Sequence, residues 1–164
     1  MMKTVLGMMV LVGASFVLTG CFGCDPGNNS QRAPVTFEPS STDAVHSCST
    51  VTMKLLGDTA VAPPYTLIEI DIADAVIVGE EVPLWVDESA TTAHSSDNKI
   101  AFSIQQSGNL DAYPLSSVVV TPDSLPSVDG ALVKVELRLT FEDGRVLDAV
   151  YTAPVTNAQG QCGI

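Results

Sequence analysis

The chain has 164 residues, 7 of them basic and 19 acidic, for a formal net charge of −12. That balance excludes a polyanionic partner such as nucleic acid and opposes electrostatic docking on anionic lipid. The length suits one domain with a core of its own plus a short appendage.

In chain order, Met1-Met2-Lys3 opens with one positive charge, and residues 4–17 (TVLGMMVLVGASFV) are uncharged and mostly apolar. That run is shorter than the ~20 apolar residues a spanning helix needs. With a polar, Gly/Pro-rich stretch directly after it, it reads as the h-region of a secretory signal. The segment closes on Leu18-Thr19-Gly20-Cys21. This motif resembles the lipobox of bacterial lipoproteins: an aliphatic residue, a small residue, Gly or Ala, then Cys. The resemblance covers residues 1–21 only. It implies cleavage between Gly20 and Cys21, a diacylglyceryl group on the Cys21 sulfur and acylation of the new amine. Two or three palmitate-type chains would then hold the protein firmly, because a single chain binds only marginally. In the same class Phe22, standing where Asp would retain the protein at the inner membrane, implies the outer membrane, with the body in the periplasm or at the cell surface.

Without its first 20 residues the chain carries six basic and 19 acidic residues, a net charge of −13. The plain reading is a solvated acidic surface, and the sharper one is a preference for cationic partners or divalent cations. Beyond the inner membrane disulfides are permitted. Cys24, Cys48 and Cys162 allow one bridge and one leftover thiol. Cys48 and Cys162 flank the strand-rich block, so their pairing would staple the domain's ends, although a bridge from Cys24 to either is open. Cys21-x-x-Cys24 lacks the strand–helix context of a redox motif.

Residues 21–47 are rich in Gly, Pro, Ser, Asn and Asp and carry no apolar period, which predicts a flexible tether, with the domain over 48–164. From residue 50 the period switches to two. Val51, Met53 and Leu55 alternate with polar residues, and Ile68, Ile70 and Ile72 oppose Glu69 and Asp71. Ala75 to Val78 is a short apolar run ended by Gly79. Val82, Leu84 and Val86 alternate with Pro83, Trp85 and Asp87, and Pro83 predicts an edge strand because it has no N–H to give a ladder. Such an edge could accept a partner strand. Residues 87–98 read as a polar loop, Ile100, Phe102 and Ile104 as a strand, and Ser117 to Thr121 as another.

Ala131 to Phe141 alternates over eleven residues, with Val133, Val135, Leu137, Leu139 and Phe141 inward, and residues 145–154 return after Asp143-Gly144. A two-residue turn would set Asp148 beside Leu139 on the apolar face. A three-residue Glu142-Asp143-Gly144 loop with left-handed Gly144 instead pairs Leu139 with Leu147, Leu137 with Ala149 and Arg138 with Asp148. One residue of slip inverts every side chain, so the second register is expected. Seven or eight short strands, frequent turns and no helix predict an all-β fold, an antiparallel β-sandwich of immunoglobulin-like or transthyretin-like type.

Candidate chemistry is sparse. His46, Cys48, Met53 and His94 are the types a soft metal takes, but no ligand spacing joins them. Glu69, Asp71, Asp74, Glu80, Glu81, Asp87, Glu88 and Asp97 could furnish calcium oxygens, but none sits in a recognisable calcium loop. His94-Ser95-Ser96-Asp97 has the letters of a hydrolase triad without a nucleophile elbow. Trp85 and Tyr113 are candidate surface aromatics, though packing of Trp85 on a second sheet is the simpler expectation. The expected function is a non-catalytic, lipid-anchored structural or protein-interaction module without cofactor, and the alternative is a small-ligand or calcium-binding lipoprotein.

Overall fold

The computed structural model describes residues 35–57, 65–107 and 114–158. They lie in one compact unit. All regular structure among them is strand: β1 (Ser41–Ser47), β2 (Thr50–Gly57), β3 (Tyr65–Ala73), β4 (Val82–Val86), β5 (Thr92–His94), β6 (Ile100–Ser107), β7 (Leu115–Ser124), β8 (Leu132–Phe141) and β9 (Val146–Asn157). The hydrogen-bonded order is β1-β2-β3-β6-β5-β4-β7-β8-β9, and β9 returns to β1 to close a barrel. The closing β1–β9 pair is parallel, with His46 beside Asn157, and the other neighbours are antiparallel.

The fold is therefore all-β, as expected, but nine strands run through one closed ladder where seven or eight were expected in two sheets. The strands missed are those whose apolar signal is thin. β1 (STDAVHS) turns only Ala44 and His46 fully inward, and β5 has three residues. Closure satisfies the edges that an open sheet would leave as templates for aggregation.

The inward rows are those the period of two marks. Val51, Met53, Leu55, Ile68, Ile70, Ile72, Val133, Val135, Leu137 and Leu139 are each at most 1% exposed and form one continuous core. The β8–β9 hairpin takes the expected register, with Leu139 opposite Leu147, Leu137 opposite Ala149 and Arg138 opposite Asp148. Gly144 has φ 83° and donates its N–H to the Phe141 carbonyl at 2.9 Å, while the Phe141 N–H bonds the Arg145 carbonyl at 3.0 Å. Only a residue tolerant of the left-handed region closes that loop without strain. On the wet face the Arg138 Nε–H donates to Asp148 at 2.9 Å.

Two expectations are corrected. The tether does not run to residue 47. The body starts upstream, with the Val35 N–H bonded to the Val146 carbonyl at 3.1 Å and the Phe37 ring set edge-on to Tyr151, centroids 6.1 Å apart. The Tyr151 hydroxyl donates to the Phe37 carbonyl at 3.0 Å, and β1 follows at once. Nor is β4 an edge strand. Val82–Leu84 pair with β7, and Trp85–Val86 pair with β5. Pro83 is tolerated because β4 exchanges partners along its length, and the β5 ladder stops short of it.

The pairings also sort the connections into two ends. The arm from Val35, the β4–β5 turn and the β8–β9 turn share one end, joined by bonds from the Leu115 N–H to the Ala90 carbonyl and from the Glu142 N–H to the Pro114 carbonyl. The β1–β2 turn, the β3–β4 loop and the β5–β6 turn share the other, joined by bonds from the Asp74 N–H to the Ser49 carbonyl and from the Ala73 N–H to the Lys99 carbonyl.

Candidate functional site: a tryptophan groove with an acidic rim

The groove originates where β4 changes partner. A space of about 390 Å³ opens beside Val82 and Pro83, between the β3–β4 loop and the β5–β6 turn. Ile77, Glu80, Glu81, Trp85 and Asp97 line it. Strand parity decides what faces outward: Leu84 is 7% exposed and points inward, so Trp85 points out and is 69% exposed. It stands opposite His94, also exposed, on the outer face of the β4–β5 pair. The sandwich expectation has a second layer covering Trp85, but in a single closed ladder its neighbours on that face are His94 and the two flanking loops.

Both flanking loops are held in place. In the β3–β4 loop the Val76 N–H bonds the Ala73 carbonyl at 3.0 Å, and the N–H of Gly79, at φ 85°, bonds the Pro122 carbonyl at 2.7 Å. This pinned loop presents Ile77 at 68% exposure and Val78 at 49%. The apolar run is legible in the sequence, but its exposure is not. The cue available was Gly79, which bends the chain before the run can pair.

The β5–β6 turn is built around Ser95, which is 1% exposed. Its hydroxyl donates to Asp97 at 2.8 Å and accepts the N–H groups of Lys99 at 2.9 Å and Ile100 at 3.0 Å. The letters of a hydrolase triad therefore fold into a turn: the Ser95 hydroxyl organises backbone, and His94 lies on β5 with its ring in a neighbouring depression. Hydrogen bonds from Lys99 and Ser95 hold the Asp97 carboxyl down at about 2, so it is ionised at any physiological pH. Lys99 Nζ lies 2.9 Å from it.

That neighbouring depression, about 400 Å³, is lined by Glu69, Asp71, Asp87, His94 and Phe102 among others. Its acids already have partners. Lys54 Nζ is 3.0 Å from Glu69, the Thr52 hydroxyl donates to Asp71 at 2.5 Å, and hydrogen bonds from Ser89 and Thr92 lower the Asp87 carboxyl below its usual range. No group of three or more His, Cys, Asp or Glu is placed to hold a metal ion among the described residues.

The candidate soft-metal residues do not meet. Met53 is core. His46, on β1, is 2% exposed, and its Nε2 lies 3.1 Å from each carboxylate oxygen of Asp74, beyond β3. Its Nδ1 is buried without a partner, which costs less as the bare lone pair of the tautomer that gives Nε2–H to Asp74 than as an orphaned N–H. Cys48 sits at φ 57° in the β1–β2 turn. Gly20, Cys21, Cys24, Tyr113 and Cys162 lie outside the described residues. No family model matches the chain, and no curated protein or solved structure matches it.

Proposed function

We propose that this chain is a bacterial envelope lipoprotein, cleaved after Gly20, lipidated at Cys21 and anchored in the outer membrane, whose body serves as a non-catalytic docking module. The anchor rests on the lipobox resemblance. The docking role is carried by one observation: Trp85 and Ile77, 69% and 68% exposed, stand together in a groove between two pinned loops. A large aromatic left in water beside a preformed groove is what a partner's anchor residue needs, and Trp is among the commonest hot-spot residues.

Two finer features belong to the same reading. The runs β1-β2-β3-β6-β5 and β4-β7-β8-β9 would act as the two faces of a sandwich-like body, joined at β4 and through β1–β9. Cys48 would pair with Cys162, a bridge favoured by the parallel β1–β9 pair and by the bond of the Ala158 N–H to the His46 carbonyl at 2.9 Å, which bring the C-terminal part of the chain to the Cys48 end.

Metabolic labelling with an alkyne palmitate tests the anchor. Label is expected on the wild type and lost in Cys21→Ser, and equal labelling of both would refute it. A photo-crosslinking residue at position 77 in living cells tests docking. A discrete adduct is expected there, while the same residue at Glu142, at the other end of the barrel, gives none.

A further inference from the structure

We infer that the Trp85 groove receives an extended polypeptide segment in which lysine or arginine stands next to an apolar side chain. This rests on the docking reading above and names its partner class. Three observations carry it.

The first is charge. Glu80, Glu81 and Asp97 line the groove together with a single cation, Lys99, whose ammonium is already 2.9 Å from Asp97. The lining therefore keeps an excess of two negative charges on a body that is itself strongly acidic. An anionic or neutral occupant gains nothing from that field, whereas a cation is drawn in and held. The second is the indole. An exposed Trp face attracts an ammonium or guanidinium through its quadrupole, and the attraction grows as an apolar neighbour displaces water. Ile77 and Pro83, also in the lining, supply that apolar ground. The third is shape. About 390 Å³ between the β3–β4 loop and the β5–β6 turn holds one or two side chains, not a folded domain. The bonds from the Gly79 N–H to the Pro122 carbonyl and from the Lys99 and Ile100 N–H groups to the Ser95 hydroxyl fix both walls in advance, so little ordering is left to oppose binding. β4 exchanges partners along its length, so neither of its sides offers a full-length free edge and recognition falls to side chains.

The chain contains one tryptophan, so its emission reports this groove alone. With the full-length protein, caesium should quench Trp85 more efficiently than iodide at low ionic strength, and the difference should shrink in 1 M salt or in Glu80→Gln/Glu81→Gln. The binding probe is an end-blocked Lys-Leu-Lys-Phe-Lys peptide, compared with its Glu-for-Lys counterpart and with N-acetylglucosamine trimer. The lysine peptide should shift Trp85 emission to the blue and shield it from acrylamide. Its affinity should fall roughly three- to tenfold in Glu80→Gln/Glu81→Gln and less than twofold in Glu88→Gln/Glu142→Gln, which removes the same charge at the other end. Calorimetry on Trp85→Ala should show a loss of at least about tenfold.

A lysine peptide that binds the two double variants equally, or shifts the emission no more than the glutamate peptide does, overturns the cationic assignment. A stronger response to the glycan than to the peptide overturns it in favour of a sugar platform. The photo-crosslink at position 77 separates the two levels. An adduct mapping to a partner segment with Lys or Arg within two or three residues supports the assignment. One mapping to a segment without them overturns it and leaves docking standing, and no adduct in cells overturns both.

Discussion

The docking of Phe37 is the sharpest place to test the boundary between tether and body. Its ring lies edge-on to Tyr151, its carbonyl accepts the Tyr151 hydroxyl, and a Cβ added to Gly57 would sit 2.5 Å from its Cε2. A fully buried Phe→Ala costs about 3–5 kcal/mol. Phe37 is half-buried, so Phe37→Ala should cost about 2 kcal/mol, part of it the ~0.5–1.5 kcal/mol of the edge-to-face pair. Gly57→Ala would ordinarily stabilise a strand by ~0.5–1 kcal/mol, because Gly loses more backbone freedom on folding than Ala. Here overpacking against a ring wedged on Tyr151 adds a penalty of ~1–3 kcal/mol, for a net loss near 1 kcal/mol. In the Phe37→Ala background the obstruction is gone, and Gly57→Ala should become stabilising by ~0.5–1 kcal/mol. The cycle therefore predicts a coupling of roughly 1.5–2 kcal/mol with a change of sign. Urea unfolding of the four proteins measures it, with Glu38→Ala as an exposed neighbour expected within ~0.5 kcal/mol of wild type. If Phe37→Ala matches Glu38→Ala, or Gly57→Ala has the same effect in both backgrounds, the arm is not part of the body.

Other expectations follow from single groups. Ser95→Ala leaves the buried N–H of Ile100 without its acceptor, while the Lys99 N–H keeps its longer bond to Asp97, and should cost ~1–3 kcal/mol in thermal or urea unfolding; a neutral result would refute the turn's role. Gly144→Ala forces a Cβ into φ 83° and should cost ~1–2 kcal/mol; an unchanged midpoint would mean the β8–β9 loop is not the three-residue form. Burial pushes the Tyr151 hydroxyl up to about 12 from 10.0. The unfolded chain then loses its proton first, so stability is whole below pH 10 and falls as pH rises towards 12. Absorbance at 295 nm should show one of the three tyrosines titrating late, and Tyr151→Phe should abolish that step and flatten the alkaline loss of stability.

The parts of the fold legible in the sequence are those where burial and period reinforce each other. Ile68, Ile70 and Ile72, or the eleven-residue alternation through β8, leave one face for the core and no second choice. The β8–β9 register was legible because a slip would put Asp148 on the apolar side. β1 was not, because its inward positions are Ala44 and a histidine whose burial depends on Asp74, 28 residues away. A window of seven residues carries no trace of that partner. The groove was half legible. The alternation through Val82, Leu84 and Val86 placed Trp85 opposite the core, but whether a second layer covered that face depended on how the strands close. Closure is set by β1 meeting β9, a contact between strands about 110 residues apart in sequence that no local pattern announces.

Closure and polarity together bear on how an anchored domain would work. The chain enters the body at Val35, beside Val146 and the β8–β9 turn, whereas Ile77, Trp85 and Asp97 belong to the end formed by the β3–β4 loop and the β5–β6 turn. Ten-residue strands such as β7 and β8 run between these ends, a path of ~3.4 Å per residue. The described arm at Val35 and Phe37 therefore lies at the opposite end from the groove, and binding there does not require it to move. Had the groove opened beside Val35, every docking event would have had to displace the arm that Phe37 and Tyr151 hold down. The same arrangement explains why the exposed tryptophan is tolerable. The net negative charge around it, Glu80, Glu81 and Asp97 against Lys99, makes two copies of this end repel, which opposes self-association through the apolar ground while leaving a cationic segment free to enter.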